Sequence, residues 1–489
     1  MTPSDTLASK HLPYALARRV GFGLGPQDEV PADPLAWAKA QLHQWPSTDV
    51  LATLPVVQTQ GGSQTPPWWQ ALAGSTAEAV ERWSHLKAME IQVNRQSARL
   101  SSAQFQALLE AEVRGPLIRM EHWRELVWRG AMAVHGPAPV FERFWHFWAN
   151  HFMVAPGTQN NDPLVGHYQR ALREHMTGRF EDLLLAAVTH PGMLTYLDNH
   201  LSTGPRARAR REGWTSQAIN ENLGRELLEL FTVSPAAGYT QADVLQTTYI
   251  LTGWRVMEPR RNNPQRLPLG TYFDWNYHEP GSQQVMGQIF SAAIRQDSKL
   301  PELVRFLARH PATARHLALK LCRNFLGDDP PAEAVERVRR VFQETGGQLI
   351  AVHEAVVDVA AQSIGQSRKF LPPDVWLWQA HRSLGQALPM APPWPNGPGI
   401  KLNNVLEELG QALPRCPQPD GWPILSTGWL SREMLDRRIR YALQLARSLS
   451  AARLQALARQ GAWSVSGQGR TELVEDLALW LVSPDRLWS

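Results

Sequence analysis

The sequence is short of cysteine, since only Cys322 and Cys416 occur among 489 residues. Two thiols exclude a disulfide framework and zinc sites built from several cysteines. A single bridge between them remains possible, and two free thiols are the simpler prediction. A small excess of positive charge, +4 from 49 basic and 45 acidic groups, is too slight to indicate a nucleic-acid partner.

Long apolar runs are also missing. No stretch reaches the roughly eighteen apolar residues that cross a bilayer, so no membrane span is predicted. The first residues lack the charged-then-apolar layout of a secretory signal. Arg18-Arg19 is followed by GFG and not by a sustained apolar stretch, which argues against a twin-arginine export signal. We therefore expect a protein that is cytoplasmic as synthesised.

The common catalytic signatures do not occur. There is no G-x-S-x-G elbow and no Walker loop. H-E-x-x-H is absent, because His353-Glu354 is followed by Ala-Val-Val, and GFGLG at 21–25 lacks the spacing of a dinucleotide fingerprint. These absences argue against the familiar hydrolases, metalloproteases, kinases and dehydrogenases.

What the sequence does have is helical periodicity. Apolar residues recur at helical spacing over most of the chain, as in Thr76–Leu109, which predicts one long helix or a hairpin of two. Other predicted helices include 138–152, 216–232 and 430–459. Alternating β-branched runs are almost absent, so the predicted class is all-α with little or no β. Twenty Trp predict much buried aromatic area, aromatic grooves, or both.

Irregular stretches divide the chain into predicted segments. Trp side chains in the proline-rich stretch favour ordered loops over disordered ones. The predicted organisation is N-terminal helices packed on the main domain (1–57), a connector (58–67), a long helix or hairpin (68–115), a helical core (116–385), a Pro/Trp-rich arm (386–429) and C-terminal helices (430–489).

The strongest candidate site lies on the predicted helix 216–232, AINENLGRELLELF. On a helical wheel Glu221, Asn222, Arg225, Glu226 and Glu229 share one arc, and leucines cover the rest. We expect these ionisable groups to be partly buried, with Arg225 paired to Glu229 four residues later. A buried structural network and an acid–base or metal-binding carboxylate set explain the pattern equally well at this point.

Other candidates lie near predicted helix ends. His151 closes the aromatic helix FERFWHFWANH, where a core histidine is the commoner outcome than a metal ligand. Asp198-Asn199 precedes a loop whose arginines 206, 208, 210 and 211 offer anion contacts, although a solvated loop is the simpler interpretation. His278 stands in an aromatic loop, WNYHEPG, of a kind that covers binding sites.

The same stretches carry a resemblance. The chain resembles, over nearly its whole length, a bacterial domain-of-unknown-function family, DUF1800. The match rests on the order and joint occurrence of its motifs, and these are His11-Leu12, Arg18–Gly23, Phe147–Val154, Tyr168–Leu183, His190–Asn199, Asn220–Thr232, Gly238–Trp254, His278–Gly287, His310–Asp329 and Gly410–Pro423.

The resemblance implies a mainly helical fold and a partner. Genes of this family commonly neighbour those of a phosphatase- or sulfatase-like family, DUF1501, which implies a physical partner and periplasmic co-export with it. Two departures matter. The usual Lys of a His-Asp-x-Gly-x-Lys motif is missing, with Gln283 and Gln284 in the corresponding region, and the usual Leu-Gly after ELFT is Val233-Ser234-Pro235.

The joint pattern favours a polar pocket with a ligand or reaction, and the first hypothesis is an enzyme. Glu226 or Glu221 would act as general acid or base, with Arg225 as electrostatic clamp and Glu229 beside them. An aromatic, sugar or peptide substrate is expected. The predicted binding residues are Asn222, Asp198, Asn199, Trp254 and His278.

Two further versions and one alternative stay open. A metal-dependent enzyme would hold a divalent metal or iron through His151 or His278 with one or two of the carboxylates, and a haem-binding oxidoreductase is the more distant version. The cofactor itself is unknown from the sequence. The alternative class is a non-catalytic accessory or escort protein for the DUF1501 partner, with the Trp-bearing arm as its interface.

Overall fold

The computed structural model describes residues 3–47, 75–96, 100–109, 119–156, 161–257, 270–291, 299–386, 388, 402–460 and 463–489. The predicted connector 58–67 lies outside these residues. So do residues 389–401 of the predicted arm and residues 258–269 of the aromatic loop region.

Helices dominate the described chain, which confirms the predicted all-α class. In the first half they are α1 Pro3–Val20, α2 Pro34–Ala40, α3 Thr76–Gln96, α4 Ser102–Leu109, α5 Arg119–His135, α6 Pro139–His151, α7 Asp162–Arg173, α8 Phe180–Thr189, α9 Pro191–Tyr196, α10 Arg208–Arg211, α11 Asn222–Glu226 and α12 Gln241–Leu251. A π-helical turn, Leu227–Phe231, continues α11. Helical turns of the 3₁₀ type cover Asn199–Leu201, Pro235–Ala237, Leu413–Arg415 and Ser426–Gly428.

The second half is equally helical. It contains α13 Leu300–Arg309, α14 Pro311–Phe325, α15 Ala332–Glu344, α16 Leu349–Gln362, α17 Pro373–Leu384, α18 Leu402–Glu408, α19 Arg432–Ser448, α20 Ala451–Arg459, α21 Arg470–Leu481 and α22 Pro484–Leu487. Within the described ranges, no helix is long and apolar enough to cross a membrane.

The β structure is limited to two antiparallel hairpins. Strand β1 (Trp254–Met257) pairs with β2 (Gly270–Phe273), and β3 (Gln283–Val285) pairs with β4 (Gln288–Phe290). The first hairpin follows α12 directly, and β3 packs against that helix. The second hairpin also bonds to the start of this helix, where Asp243 accepts a hydrogen bond from the N–H of Met286.

Proline and its preceding residue start several helices. Asp33 accepts hydrogen bonds from the backbone N–H groups of Leu35 and Ala36, with Pro34 in the first turn of α2. His310 caps α14 in the same way, since its Nδ1 accepts from the N–H of Ala312. Because proline lacks the N–H that a first turn leaves unpaired, the sequence signal and the structure agree at these starts.

Two predicted helices differ from the structure. The predicted helix 216–232 starts only at Asn222, because the Asn220 side chain accepts a hydrogen bond from the N–H of Asn222 and ends the irregular segment there. The predicted helix 430–459 is two helices, α19 and α20. The side chain of Ser450 caps the second helix by accepting a hydrogen bond from the N–H of Arg453. A new helix therefore begins at Ala451 instead of α19 continuing.

The core is aromatic and contiguous, and α6 lies inside it. Nearly every residue of α6 is buried, as its apolar character on all sides predicts. Five Trp are among the largest fully buried side chains, so much of the tryptophan is core material: Trp83, Trp145, Trp148, Trp376 and Trp378. Cys322 and Cys416 are both buried free thiols. The core therefore fixes α6, and with it the position of His151.

Candidate functional site

A cleft opens between α14 and the described part of the arm. Its volume is about 530 Å³, within the range of small-molecule sites. The side chains of one face of α14 form one wall and the arm forms the other, and the lining residues are His316, Leu319, Lys320, Arg323, Asp420, Gly421, Trp422, Pro423, Ile424, Leu425, Thr427 and Gly428.

The arm is held in place by hydrogen bonds to the core helix α6. The side-chain amide of Asn150 donates to the carbonyl of Trp422 at 3.0 Å, and the N–H of Trp422 donates back to Asn150 Oδ1 at 2.8 Å. Gly421 precedes this contact with φ +82°, and a Cβ there would lie 2.3 Å from the Asn150 carbonyl oxygen. Only glycine fits this close approach, which fixes the wall of the cleft beside α6.

Glu226, the last residue of α11, is the most perturbed carboxylate near this cleft. It is half-buried, and within the described part of the chain its carboxylate makes no hydrogen bond or ion pair. The pKa of Glu226 is raised to about 7, mainly by burial and also by the negative charges of Glu229 and Asp420, while Arg225 opposes the shift. Because Asp420 also lines the cleft, Glu226 is electrostatically coupled to the cleft wall.

Tyr196 belongs to the same cluster. Burial raises the pKa of Tyr196 to about 12, with further contributions from Cys416, Glu226 and Asp420. Its phenol therefore stays protonated at neutral pH. The cluster joins the end of α9, the end of α11 and the arm, three segments that lie far apart in the sequence.

The π-helical turn after Glu226 turns two backbone carbonyls toward histidines. His316 Nε2 lies 3.2 Å from the carbonyl oxygen of Leu230, and His151 Nε2 lies 3.3 Å from that of Phe231. The hydroxyl of Thr232 donates to the carbonyl of Leu227 and closes the turn. π-helical turns are rare and frequently occur at functional sites, because they release backbone groups from the α-helical pattern.

Lys320 connects His151 to the cleft. Its Nζ donates to His151 Nδ1 at 3.0 Å, so the other ring nitrogen carries the proton and donates to the carbonyl of Phe231. Burial holds the pKa of His151 well below its usual value, with Lys320 and His316 adding to the shift. Burial also lowers the pKa of Lys320 to about 8, against a raising effect of Asp420. His151 is therefore neutral, and Lys320 stays mostly protonated at neutral pH but loses its proton at lower pH than an ordinary lysine.

The remaining predicted charges of the helix lie on its outer side. Arg225 Nη2 contacts Glu221 Oε2 at 3.2 Å and Gln241 Oε1 at 2.9 Å, instead of the expected Glu229. Glu229 falls in the π-helical turn, whose wider winding changes the four-residue spacing, and it accepts from the hydroxyl of Tyr239 at 3.3 Å. Asn222 is exposed in the first turn of α11.

A second group of predicted residues surrounds the end of α12. The Asn199 side chain donates to the carbonyl of Leu251 at 3.2 Å. His278 Nδ1 lies 2.8 Å from the carbonyl oxygen of Thr252. Asp198 adopts φ 56°, and burial raises its pKa.

Trp254 starts β1 and contacts the ring of Phe273, which also contacts His278. Within the described ranges no hydrogen bond, ion pair or ring contact joins His278 to Glu226 or His151. The structure thus divides the predicted residues into two groups, one at the cleft and one around α12.

The predicted anion contacts near His278 are internal. Arg206 Nε contacts the buried carboxylate of Glu279 at 2.5 Å, and Arg208 contacts Glu212 at 2.7 Å. Lys299, from outside the family motif, reaches the carbonyl of Gly281 at 2.6 Å and thereby brings an ammonium group to the loop in which the motif lysine is missing. These basic groups are engaged with the protein itself.

Metal ligation was predicted for His151. Both of its ring nitrogens are engaged, by Lys320 and by Phe231. In the part of the chain that the structure describes, no group of three or more His, Cys, Asp or Glu side chains is arranged to hold a metal ion.

Sequence reasoning missed several residues of the cleft. Lys320, His316 and Arg323 lie in the segment 310–329, and Asp420 lies in the segment 410–423, both of which belong to the family resemblance. A usable signal was present on α14, because His316, Lys320 and Arg323 recur at intervals of four and three residues and so share one helix face. Tyr196 carried no such signal.

A protein-family model described as "Protein of unknown function (DUF1800)" matches residues 15–485, nearly the whole chain. No curated protein and no solved structure shows significant similarity to the chain.

Proposed function

The chain belongs to the DUF1800 family, whose description names no activity, and from that premise we propose that it is an enzyme that uses Glu226 as a general acid or base. The substrate would occupy the cleft lined by Asp420, Lys320 and Trp422. The observation that carries the proposal is the environment of Glu226, a half-buried carboxyl group without a hydrogen bond among the described residues and with its pKa raised to about 7.

A pKa near neutrality suits proton transfer. General acid–base catalysis is most effective when the catalytic group titrates near the working pH, since both protonation states are then populated. Structural carboxylates in proteins normally have a cationic partner, as Glu221 has in Arg225. Glu226 has neighbours of the opposite kind, because Glu229 and Asp420 add negative charge around it.

The other groups have supporting roles in this proposal. Arg225, held by Glu221 and Gln241, opposes part of the upward shift and acts as the electrostatic clamp. His151 keeps Lys320 directed toward the cleft through the hydrogen bond at Nδ1. The ring of Trp422 offers a stacking surface for an aromatic, sugar or peptide substrate.

Differential metabolite profiling tests the reaction. Purified protein is incubated with a metabolite extract of the organism that encodes it, and the products are compared with those from Glu226→Gln. Glu333→Gln serves as the control, because Glu333 is an exposed carboxylate on α15. We expect compounds that change with the wild type and the control but not with Glu226→Gln. Identical profiles for wild type and Glu226→Gln, both folded, would contradict the proposal.

Infrared spectroscopy tests the protonation state directly. The pH-dependent difference spectrum of the wild type minus that of Glu226→Gln isolates the carboxyl band of Glu226. We expect this band to titrate near pH 7, because burial and the neighbouring carboxylates disfavour its charged form. Titration near the ordinary value of 4.5 would remove the physical basis of the proposal.

Metal or haem use remains a prediction from the sequence. Elemental analysis of protein purified without chelators, together with its absorption spectrum, distinguishes a divalent metal, iron and haem. If a metal is bound stoichiometrically, the first variant to examine is His151→Gln, which should lose it if His151 is a ligand.

The accessory function is favoured by one observation. Leu425 on the arm and Leu430 directly after it are exposed to 37% and 47%, which fits an interface with another protein. Co-purification with the DUF1501 neighbour tests this alternative, and Leu430→Asp should weaken the complex. Export with that partner is proposed as well, and cell fractionation with and without the neighbouring gene tests it.

A further inference from the structure

We propose that the cleft between α14 and the arm binds an organic anion, a carboxylate or phosphate group attached to an apolar or aromatic body. This inference deepens the proposed function, on which it rests, by naming the chemical class of the substrate. The anion would lie against Lys320 and Arg323, and the apolar body against Trp422.

The charges on α14 provide the first step of the argument. Lys320 and Arg323 both line the cleft, and in the described ranges neither forms an ion pair within 4 Å. The Nε of Arg323 is buried without a hydrogen-bond partner in the same part of the chain. An anionic ligand in the cleft would give both cations an ion-pair partner and Nε of Arg323 a hydrogen-bond acceptor.

The opposing charge inside the cleft is small. Asp420 is exposed at the rim of the cleft. It acts on Lys320 by electrostatic attraction, without forming an ion pair within 4 Å. His316 is neutral, because burial lowers its pKa to about 4, and its Nε2 is committed to the carbonyl of Leu230. Two cations against one carboxylate leave a net positive cleft at neutral pH, which favours a negatively charged ligand.

The walls specify the rest of the ligand. Leu319, Trp422, Pro423, Ile424 and Leu425 line the cleft with apolar surface. A volume of about 530 Å³ accommodates more than a free inorganic ion. A ligand with an anionic group on a ring or hydrocarbon body would therefore contact both the cationic side chains of α14 and the apolar wall.

The apolar wall is fixed before any ligand arrives. Lys369 Nζ donates to the carbonyl of Ile424. Asp328 accepts from the N–H of Ser426 at 2.9 Å and from its hydroxyl at 3.1 Å. Because these contacts tie the arm to Lys369 and to the segment after α14, the two walls keep their separation, and a ligand loses little binding energy to ordering them.

Calorimetric titration with phenyl phosphate and benzoate, and with benzamide as the uncharged probe, tests the inference. We expect the two anions to bind once per chain and benzamide to bind far more weakly. Arg323→Met should weaken anion binding about tenfold, since a charge-assisted hydrogen bond contributes roughly 1.4 kcal/mol or more. Arg315→Met is the matched control, an exposed arginine on the same helix outside the cleft, and it should bind as the wild type does.

A second measurement needs no variant. The sequence has seven lysines, so acetylation by an N-hydroxysuccinimide ester can be followed at each by mass spectrometry. Phenyl phosphate should slow acetylation of Lys320 about threefold at roughly two-thirds occupancy, while Lys87, on α3 and outside the cleft, is unaffected. Anions that do not bind, or that bind equally to Arg323→Met and leave Lys320 unprotected, would overturn the inference.

The outcomes separate the two proposals. Glu226→Gln should bind phenyl phosphate at least as well as the wild type, because the change removes a carboxyl group and no cation. Anion binding together with metabolite profiles unaffected by Glu226→Gln would leave the anion site and refute the acid–base role. Loss of turnover in Glu226→Gln without any anion binding would do the reverse.

Discussion

Replacing Ser234 with glycine should stabilise the protein. Ser234 has φ 61° and ψ 162°, a combination that is essentially restricted to glycine and strains other residues by about 1–3 kcal/mol. Glycine loses about 0.5–1 kcal/mol through the greater freedom of the unfolded chain. The difference predicts a net gain of about 1 kcal/mol for Ser234→Gly. The family resemblance places glycine in this region too, which the Val233-Ser234-Pro235 exit replaces.

Urea denaturation followed by tryptophan fluorescence is the appropriate assay, since thermal unfolding of large chains is often irreversible. Ser234→Ala is the matched control. It retains the Cβ that causes the strain, and no hydrogen bond of the Ser234 hydroxyl is lost among the described contacts. The control should be within about 0.5 kcal/mol of the wild type. Equal stability of the glycine and alanine variants would refute the strain argument.

Three further predictions concern packing, charge and pH. Gly224→Ala should destabilise by about 1–3 kcal/mol in urea, because the new Cβ would lie 2.2 Å from Thr248 Oγ1; wild-type stability would show that α11 and α12 separate easily. Arg173→Met should cost about 3–5 kcal/mol by leaving the buried Glu142 unpaired, and adding Glu142→Leu should recover much of it, which a double-mutant cycle measures. Burial lowers the pKa of His353 to about 3 from the usual 6.5, so the unfolded state binds more protons between these values, and stability should fall as the pH drops from about 6.5 toward 3. His353→Gln should flatten that decline in urea midpoints, and an unchanged slope would contradict the assignment.

The fold class could be predicted because helical periodicity is a local property of the sequence. The burial of α6 followed from apolar residues on all its sides. Helix ends were less predictable where a single side chain decides them, as at Ser450, because its cap competes with a continuing helical pattern. The π-helical turn at Leu227–Phe231 was not predictable, since its residues suit an α-helix equally well.

The candidate site was predictable only in part, because its geometry depends on contacts between distant segments. Glu226 could be proposed from its own helix. Its coupling to Asp420, almost two hundred residues later, depends on how the arm returns over α6. The sequence likewise grouped His278 with Glu226, whereas the structure places His278 against Thr252. A shared family pattern shows that residues matter together, but not that they touch.

The directions of the pKa shifts at Glu226 and Lys320 support the proposed proton-transfer role of this cluster. An ion-pair partner lowers the pKa of an acid and raises that of a base, although burial outweighs the partner at Lys369, which is paired with Asp328 and still has its pKa lowered to about 8. Glu226 and Lys320 shift the other way, the acid up to about 7 and the amine down to about 8, and burial is the largest cause in both. The Glu221–Arg225 pair on the same helix is an ordinary ion pair at the surface. A fold that needed Glu226 and Lys320 only for stability would gain from pairing or replacing them. Two groups with pKa values of about 7 and about 8 close to a 530 Å³ cleft are what the proposed proton transfer to a bound molecule would use.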